Sequence, residues 1–319
     1  MQLLLFMKLL FVVIFFIQTS LSSSQDFRMY LKSVKSDLKL LSINRVHLNA
    51  HVVKLKKDYR FMKSRPHWQK FSEETSDTRF ITWLAEKASF KPVWKSVSRY
   101  ARPDSQQTFD KGNKKNSSNL ELPKNQIRIK KAFKANSDSL KAIESKYHVN
   151  AEILVVLAAM ESRLGKFRLK YTAHEVFLSQ LLLLEKFSKW IDSDRLKRLM
   201  RSARRNLVCL YLWASTTGQQ QIESNWAGAC GVVQFLPYNF WMLRDGSGDS
   251  EIQLHNLADG FASSAFFLNQ KGWNKEQSVN FESGKFESAQ LKALLSYNRN
   301  EYYAKGLWNL AQWLKNNQM

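Results

Sequence analysis

Apolar residues recur along this chain at three- and four-residue intervals, without long alternating runs, and that period predicts helices. From about Gln126 the pattern is consistently helical, with Leu140, Ile143 and Tyr147 on one face. The next segment, Ala151 to Leu164, is apolar on every face and predicts a central, buried helix. Asn150 is placed to cap it, Glu152 to lie in its first turn, and Gly165 to end it. The stretch 104–126, which holds Asp110, Gly112, Asn113, Asn116, Ser117, Ser118 and Pro123, reads as a loop. At the amino terminus Leu3 to Ile17 is apolar except for Lys8, and the small-residue cluster Ser20 to Ser24 follows. That is the pattern of a secretory signal, with an uncleaved anchor as the alternative. No Cys follows the run, so an acylated lipoprotein terminus is excluded.

Composition narrows the class. Among 319 residues, 44% are apolar and 13% aromatic, enough for a sizeable core, while only 11 Gly and 5 Pro argue against a β-sandwich. The expectation is a mainly α protein. Lys and Arg number 49 against 27 Asp and Glu, a formal net charge of +22. Most of the excess lies in residues 1–150, where Lys54, Lys56, Lys57, Arg60, Lys63 and Arg65 crowd one segment. Such an excess suits a polyanion, an anionic membrane surface or acidic wall polymers, or it is a solvated helical face. Export disfavours nucleic acid as the partner. Cys209 and Cys230, the only thiols, sit among apolar neighbours and are expected to be buried and free, although their compartment permits a disulfide.

One carboxylate stands out. Glu161 lies in the last turn of the apolar helix, where burial and the negative end of the helix dipole raise its pKa toward that of a general acid. The alternative is a structural Glu paired with Arg163 or another Arg. Downstream, Asn225-Trp226-Ala227-Gly228-Ala229-Cys230-Gly231-Val232-Val233-Gln234-Phe235-Leu236-Pro237 joins glycines, amides and aromatics, a mixture that suits a sugar cleft, and Tyr297 to Tyr303 adds candidates of the same kind. Asp245-Gly246-Ser247-Gly248-Asp249-Ser250-Glu251 places oxygen-bearing side chains at alternate positions. This resembles the start of an EF-hand calcium loop with the Glu251 carbonyl at the seventh position, and it is equally an ordinary turn.

At these residues the chain resembles the lytic murein transglycosylase B family. The resemblance is carried by Glu161-Ser162-Arg163-Leu164-Gly165, by Ala227-Gly228-Ala229-x-Gly231-x-x-Gln234-Phe235-x-Pro237, by Asp259 to Leu268 before Gly272-Trp273, and by Tyr297-Asn298 with Tyr303. It covers roughly 127–315 and extends faintly upstream through Phe80, Trp83-Leu84 and Pro92-Val93-Trp94. Three regions are expected: the signal peptide over 1–24, a basic and helical extension over 25–79 that falls outside the resemblance, and the lysozyme-like helical domain that the resemblance implies over 80–319. It also implies an exported enzyme that cleaves peptidoglycan glycan strands without a catalytic cofactor.

By the same resemblance Glu161 is the single catalytic acid. Asn225, Gln234, Phe235, Tyr297, Asn298 and Tyr303 match cleft positions, and Lys197-Arg198 falls where the family has paired arginines. Asp259 matches a distant ligand of a structural calcium ion held by Asp245, Ser247, Asp249 and Glu251. Two positions depart from the family: Leu164 replaces a cleft tyrosine, and Asn225 replaces a serine thought to polarise the intermediate. A hydrolytic lysozyme on the same fold and a non-catalytic wall-binding scaffold are the competing expectations.

Overall fold

The computed structural model describes residues 25–36, 45–71, 75–88, 90–102, 105–275 and 288–317. The signal segment expected over 1–24 lies outside them. A first helix α1 (25–36) is followed by α2 (Arg45–Lys63), the single turn α3 (Pro66–Gln69), α4 (Asp77–Glu86) and α5 (Trp94–Ala101). Then come α6 (Ser105–Leu120), α7 (Pro123–Ala135), α8 (Ser137–Tyr147) and α9 (Ala151–Ser162). The remainder holds α10 (Ala173–Leu183), α11 (Ser193–Thr217), α12 (Leu257–Gln270), α13 (Ala289–Tyr297) and α14 (Glu301–Asn316). Two 3-10 helices, Leu184–Trp190 and Pro237–Met242, join these elements. The two-residue strands β1 (Tyr171–Thr172) and β2 (Glu223–Ser224) pair antiparallel, Tyr171 opposite Ser224. Among the described residues no helix is long and apolar enough to cross a membrane.

The architecture is built around α9. Every residue of that helix is buried except Glu152 and Glu161, and α6, α7, α8, α12 and α14 all pack against it. Burying the remaining apolar side chains at roughly 1.5–3 kcal/mol each makes α9 the anchor of the core. Its amphipathic neighbour α8 turns Leu140, Ile143 and Tyr147 inward, as their spacing predicts.

Three expectations about local structure are corrected. The stretch read as a loop is largely helical: α6 spans Ser105–Leu120 and packs on α14, α9 and α5, so tertiary contacts override weak helix formers. Asn150 precedes α9 but makes no side-chain cap bond; its Oδ1 instead accepts from Trp273 Nε1 at 3.3 Å. The helix ends before Gly165. Arg163, Leu164 and Gly165 take φ values of 55°, 60° and 75° in succession, and Ser162 Oγ, donating to Ala158 O and accepting from Gly165 N, ties the turn down.

The basic amino-terminal segment is woven into this body. Leu48, Leu55, Tyr59 and Met62 of α2 are buried, and the helix packs on α4 and α11. Asp58 accepts from Arg204 of α11 at 2.6 Å, and Tyr59 stacks on Phe80. Phe27 and Tyr30 of α1 meet Phe187 and Trp190 in an aromatic cluster. Cys209 and Cys230 are buried and free, in agreement with the sequence expectation, and burial pushes both thiols up.

Candidate active site

Glu161 is the next-to-last residue of α9, half-buried, and its polar partner comes from the far end of the chain. Tyr303, in the first turn of α14 and 3% exposed, donates its hydroxyl to Glu161 Oε1 at 2.6 Å. Desolvation pushes the carboxyl up to about 7, and the Tyr303 hydrogen bond opposes that rise. No arginine takes part, so pairing of Glu161 with Arg163 is not realised. Burial first, and then the neighbouring Glu161, keep the phenols of Tyr303 and Tyr297 neutral, well above the ordinary tyrosine range.

Tyr303 is held by a relay that sequence reading missed. Asn300 precedes α14; its Oδ1 accepts from Tyr303 N at 3.0 Å, and its Nδ2 donates to Asp110 Oδ1 on α6 at 2.9 Å. The only signal of this was an Asn three positions before a Tyr, a common capping spacing. Tyr297, at the end of α13, donates to the Val233 carbonyl and packs edge-on against Phe267 with ring centroids 5.0 Å apart. Phe267 was not singled out in the sequence, because an apolar residue in an apolar helix carries no mark.

The segment Asn225–Phe235 forms a tight double turn. Asn225 Oδ1 accepts from the amides of Ala227 and Ala229 at 2.7 and 3.2 Å, and its Nδ2 donates to Gln234 Oε1 at 2.8 Å. Gln234 takes a φ of 51° and donates Nε2 to the Gly231 carbonyl at 2.6 Å. Gly231 itself has φ 69°, and a Cβ there would stand 2.3 Å from Leu254 O, so only glycine fits. Phe235 is 3% exposed, its ring packed on Phe267 and Tyr297. It builds the wall of the site rather than offering a face to a ligand, a correction to its expected role.

Asn298 is half-buried at the carboxyl end of α13 and makes no side-chain hydrogen bond to a described residue. Lys197 and Arg198 lie exposed on α11; Lys197 pairs with Asp194, and Arg198 borders a cavity of about 260 Å³ with Arg201, Arg205 and Tyr238. No contact joins either residue to the Glu161 cluster.

The loop after Leu243 closes on itself. Asp259, 2% exposed in the first turn of α12, accepts from Gly246 N, Ser247 N and Ser247 Oγ through Oδ1 and from Gln253 N through Oδ2, at 2.7 to 3.2 Å. Asp245 accepts from Gly248 N and Ser250 N, and these amides hold its carboxyl below the usual carboxylate range. Asp249 accepts from Glu251 N. The carboxylates thus face main-chain amides. Among the described residues no three His, Cys, Asp or Glu side chains converge as a metal cage.

Glu161 and Tyr303 thus set a desolvated carboxyl, held at about 7, against a neutral phenol, a pairing that can give and take a proton near neutral pH. The family model for the transglycosylase SLT domain matches residues 63–290. The chain belongs to that family. Membership makes it an enzyme of the peptidoglycan-directed, glycan-cleaving class.

Among solved structures, the Escherichia coli lytic transglycosylase Slt35 in complex with bulgecin A is similar at 17% identity and a TM-score of 0.61, over 80% of this chain and 94% of that one. Slt35 has also been solved in complex with calcium. The soluble lytic transglycosylase SltB1 from Pseudomonas aeruginosa aligns at 15% identity and a TM-score of 0.59, over 82% and 98% of the two chains. SltB3 from the same organism, in complex with NAG-anhNAM-pentapeptide, aligns at 16% and 0.57, over 84% and 80%. At these identities the likeness shows the lysozyme-like fold of this transglycosylase. No curated protein matches the sequence.

Proposed function

We propose that this transglycosylase is an exported enzyme of the lytic murein transglycosylase B group that cleaves the β-1,4 bond between N-acetylmuramic acid and N-acetylglucosamine. The observation that carries the reading is the desolvated Glu161 carboxyl, hydrogen-bonded by the Tyr303 hydroxyl. Its carboxyl is pushed up to about 7 with no second carboxylate contributing to its electrostatics. Glycosidases that activate water use two flanking acids, whereas ring closure by the sugar's own hydroxyl needs one.

In this mechanism Glu161 gives its proton to the glycosidic oxygen as the C1–O bond breaks. The resulting carboxylate, stabilised by the Tyr303 hydroxyl, takes the proton of the muramyl 6-hydroxyl, and that oxygen bonds to C1 as a 1,6-anhydro ring. The proton returns to Glu161, so the cycle closes without water. Tyr297, Asn298, Gln234 and Asn225 border the substrate in this reading, with Asn225 acting through its bond to Gln234. Peptidoglycan is the partner supported by the muropeptide complex of SltB3, and the apolar amino-terminal run supports export.

Mass spectrometry of muropeptides released from purified sacculi tests the proposal. Products one water lighter than the reducing sugars support it. Reducing ends would make the protein a hydrolytic lysozyme, and binding without release would make it a scaffold.

We extend the proposal to a structural calcium ion at Asp245, Ser247, Asp249, Glu251 and Asp259, displacing the amide contacts of Asp245 and Asp249. Alternating hard oxygen donors and the calcium complex of Slt35 support it. Calcium then raises the melting temperature by mass action, and a protein indifferent to both calcium and chelator removes the ion.

A further inference from the structure

Away from the Glu161–Tyr303 pair, the turn joining α6 to α7 and the carboxyl end of α9 enclose a polar cleft of about 480 Å³. Asn119, Lys124, Asn125, Arg128 and Arg163 line it, and no carboxylate does. Its three cations are in no ion pair among the described residues. Lys124 and Arg163 are exposed, but Arg128 is half-buried, and its Nε is closed off from solvent with no acceptor among the described residues. A desolvated guanidinium N–H without an acceptor is costly, and native proteins satisfy the great majority of such groups.

The backbone adds to the same field. α7 starts at this cleft with Pro123, has no acidic residue in its first turn and receives no side-chain cap, and the exposed Glu121 just before its N-cap Leu122 is not among the lining residues. Asn125 Nδ2 donates to Asn119 O at 2.6 Å and fixes the turn that carries Lys124. Arg163, the left-handed C-cap residue of α9 with φ 55°, lines the same cleft. A planar guanidinium recognises carboxylate and phosphate oxygens through paired N–H donors. The volume exceeds what a bare ion fills and suits an anionic group carried on a larger molecule.

We propose that this cleft is an oxyanion-binding site in which Arg128 and Arg163 hold a carboxylate or phosphate group, with Lys124 and the amino terminus of α7 completing the field. The site does not depend on the reaction assigned to Glu161. Two sources share its chemistry: the carboxylates of an acidic peptide and the phosphates of an anionic polymer.

Isothermal titration of the full chain at low ionic strength with inorganic phosphate and, separately, with N-acetyl-L-alanyl-D-glutamate distinguishes them. The parent binds one or both probes; the peptide alone identifies a carboxylate site, and phosphate, alone or with the peptide, a site that accepts phosphate. Arg128→Gln and Arg163→Gln each weaken that binding at least tenfold, whereas Glu161→Gln leaves it unchanged. If a melting curve shows that Arg128→Gln does not fold, exposed Lys124→Gln takes its place, with a loss of about threefold. No binding of either probe by the parent, or binding that all of these arginine and lysine variants retain in full, overturns the proposal.

Discussion

The Tyr303 hydroxyl donates to Glu161 Oε1 at 2.6 Å across 142 residues of sequence. The pair forms because α14 packs along α9, with Tyr303 in its first turn and Glu161 near the end of the buried helix. Burial favours the protonated carboxyl and the hydrogen bond favours the ionised one, and together they leave it at about 7. A group that must both give and accept a proton near neutral pH is served by that balance.

Glu161→Gln lowers glycan cleavage by roughly 10²- to 10⁴-fold, the usual worth of acid–base help, while the far-ultraviolet spectrum is retained. It also changes stability with pH. The folded carboxyl at about 7 lies above its ordinary 4.5. Its contribution is therefore complete below 4.5 and lost as pH rises through 7. The melting temperature of the Gln variant, relative to the parent, should climb between pH 5 and pH 8.

Tyr303→Phe removes the interaction that opposes the rise in the Glu161 pKa. The alkaline limb of the cleavage pH profile, set by loss of the Glu161 proton, moves above pH 7, and the rate at the optimum falls. A profile superimposable on that of the parent would separate Tyr303 from the catalytic acid.

Asn300→Ala removes the cap on Tyr303 N and the tie to Asp110. Loss of an N-cap costs about 1 kcal/mol, read as a lower urea midpoint. Because the cap positions Tyr303, cleavage should slow more than the stability loss explains under conditions where the variant is fully folded.

Asp259→Ala strips a buried carboxylate of four hydrogen bonds and leaves the loop amides without their acceptor. Several kcal/mol of stability go with it, on the order of 1–3 per charged hydrogen bond before the loop relaxes. The loss appears in chelator as well as in calcium. A variant as stable as the parent in chelator would show that the amide contacts carry little.

The basic amino-terminal segment is tested by charge rather than truncation, since deleting α2 would remove the buried Leu55, Tyr59 and Met62 and uncover the faces of α4 and α11 on which they pack. Lys54 and Lys57 are exposed on that helix. Lys54→Glu with Lys57→Glu should leave the melting temperature within a degree or two and weaken sacculus pull-down at low salt. The difference should vanish as salt shortens the screening length below about 8 Å. Equal pull-down at every salt concentration would reduce these lysines to a solvated face.

The sequence by itself determined the helical class, the burial of α9, and the place of one desolvated carboxyl near its end, because period and composition record how each residue is solvated. A lone Glu in an unbroken apolar helix is visible without coordinates. So were the glycines of the double turn, since backbone sterics act within a few residues.

Only the tertiary structure decided what long-range contacts decide. Residues 105–120 are rich in Asn, Ser and Gly yet helical, with α14, α9 and α5 packed around them, which places Asp110 against Asn300. Asn225 and Gln234 bond each other, Phe235 turns into the wall, and Lys197 and Arg198 remain away from the acid. The loop carboxylates close on amides, which donor spacing alone does not reveal. In each case a side chain's partner lies many residues away or on the backbone, and a linear pattern carries no information about which of several acceptors is within 3 Å.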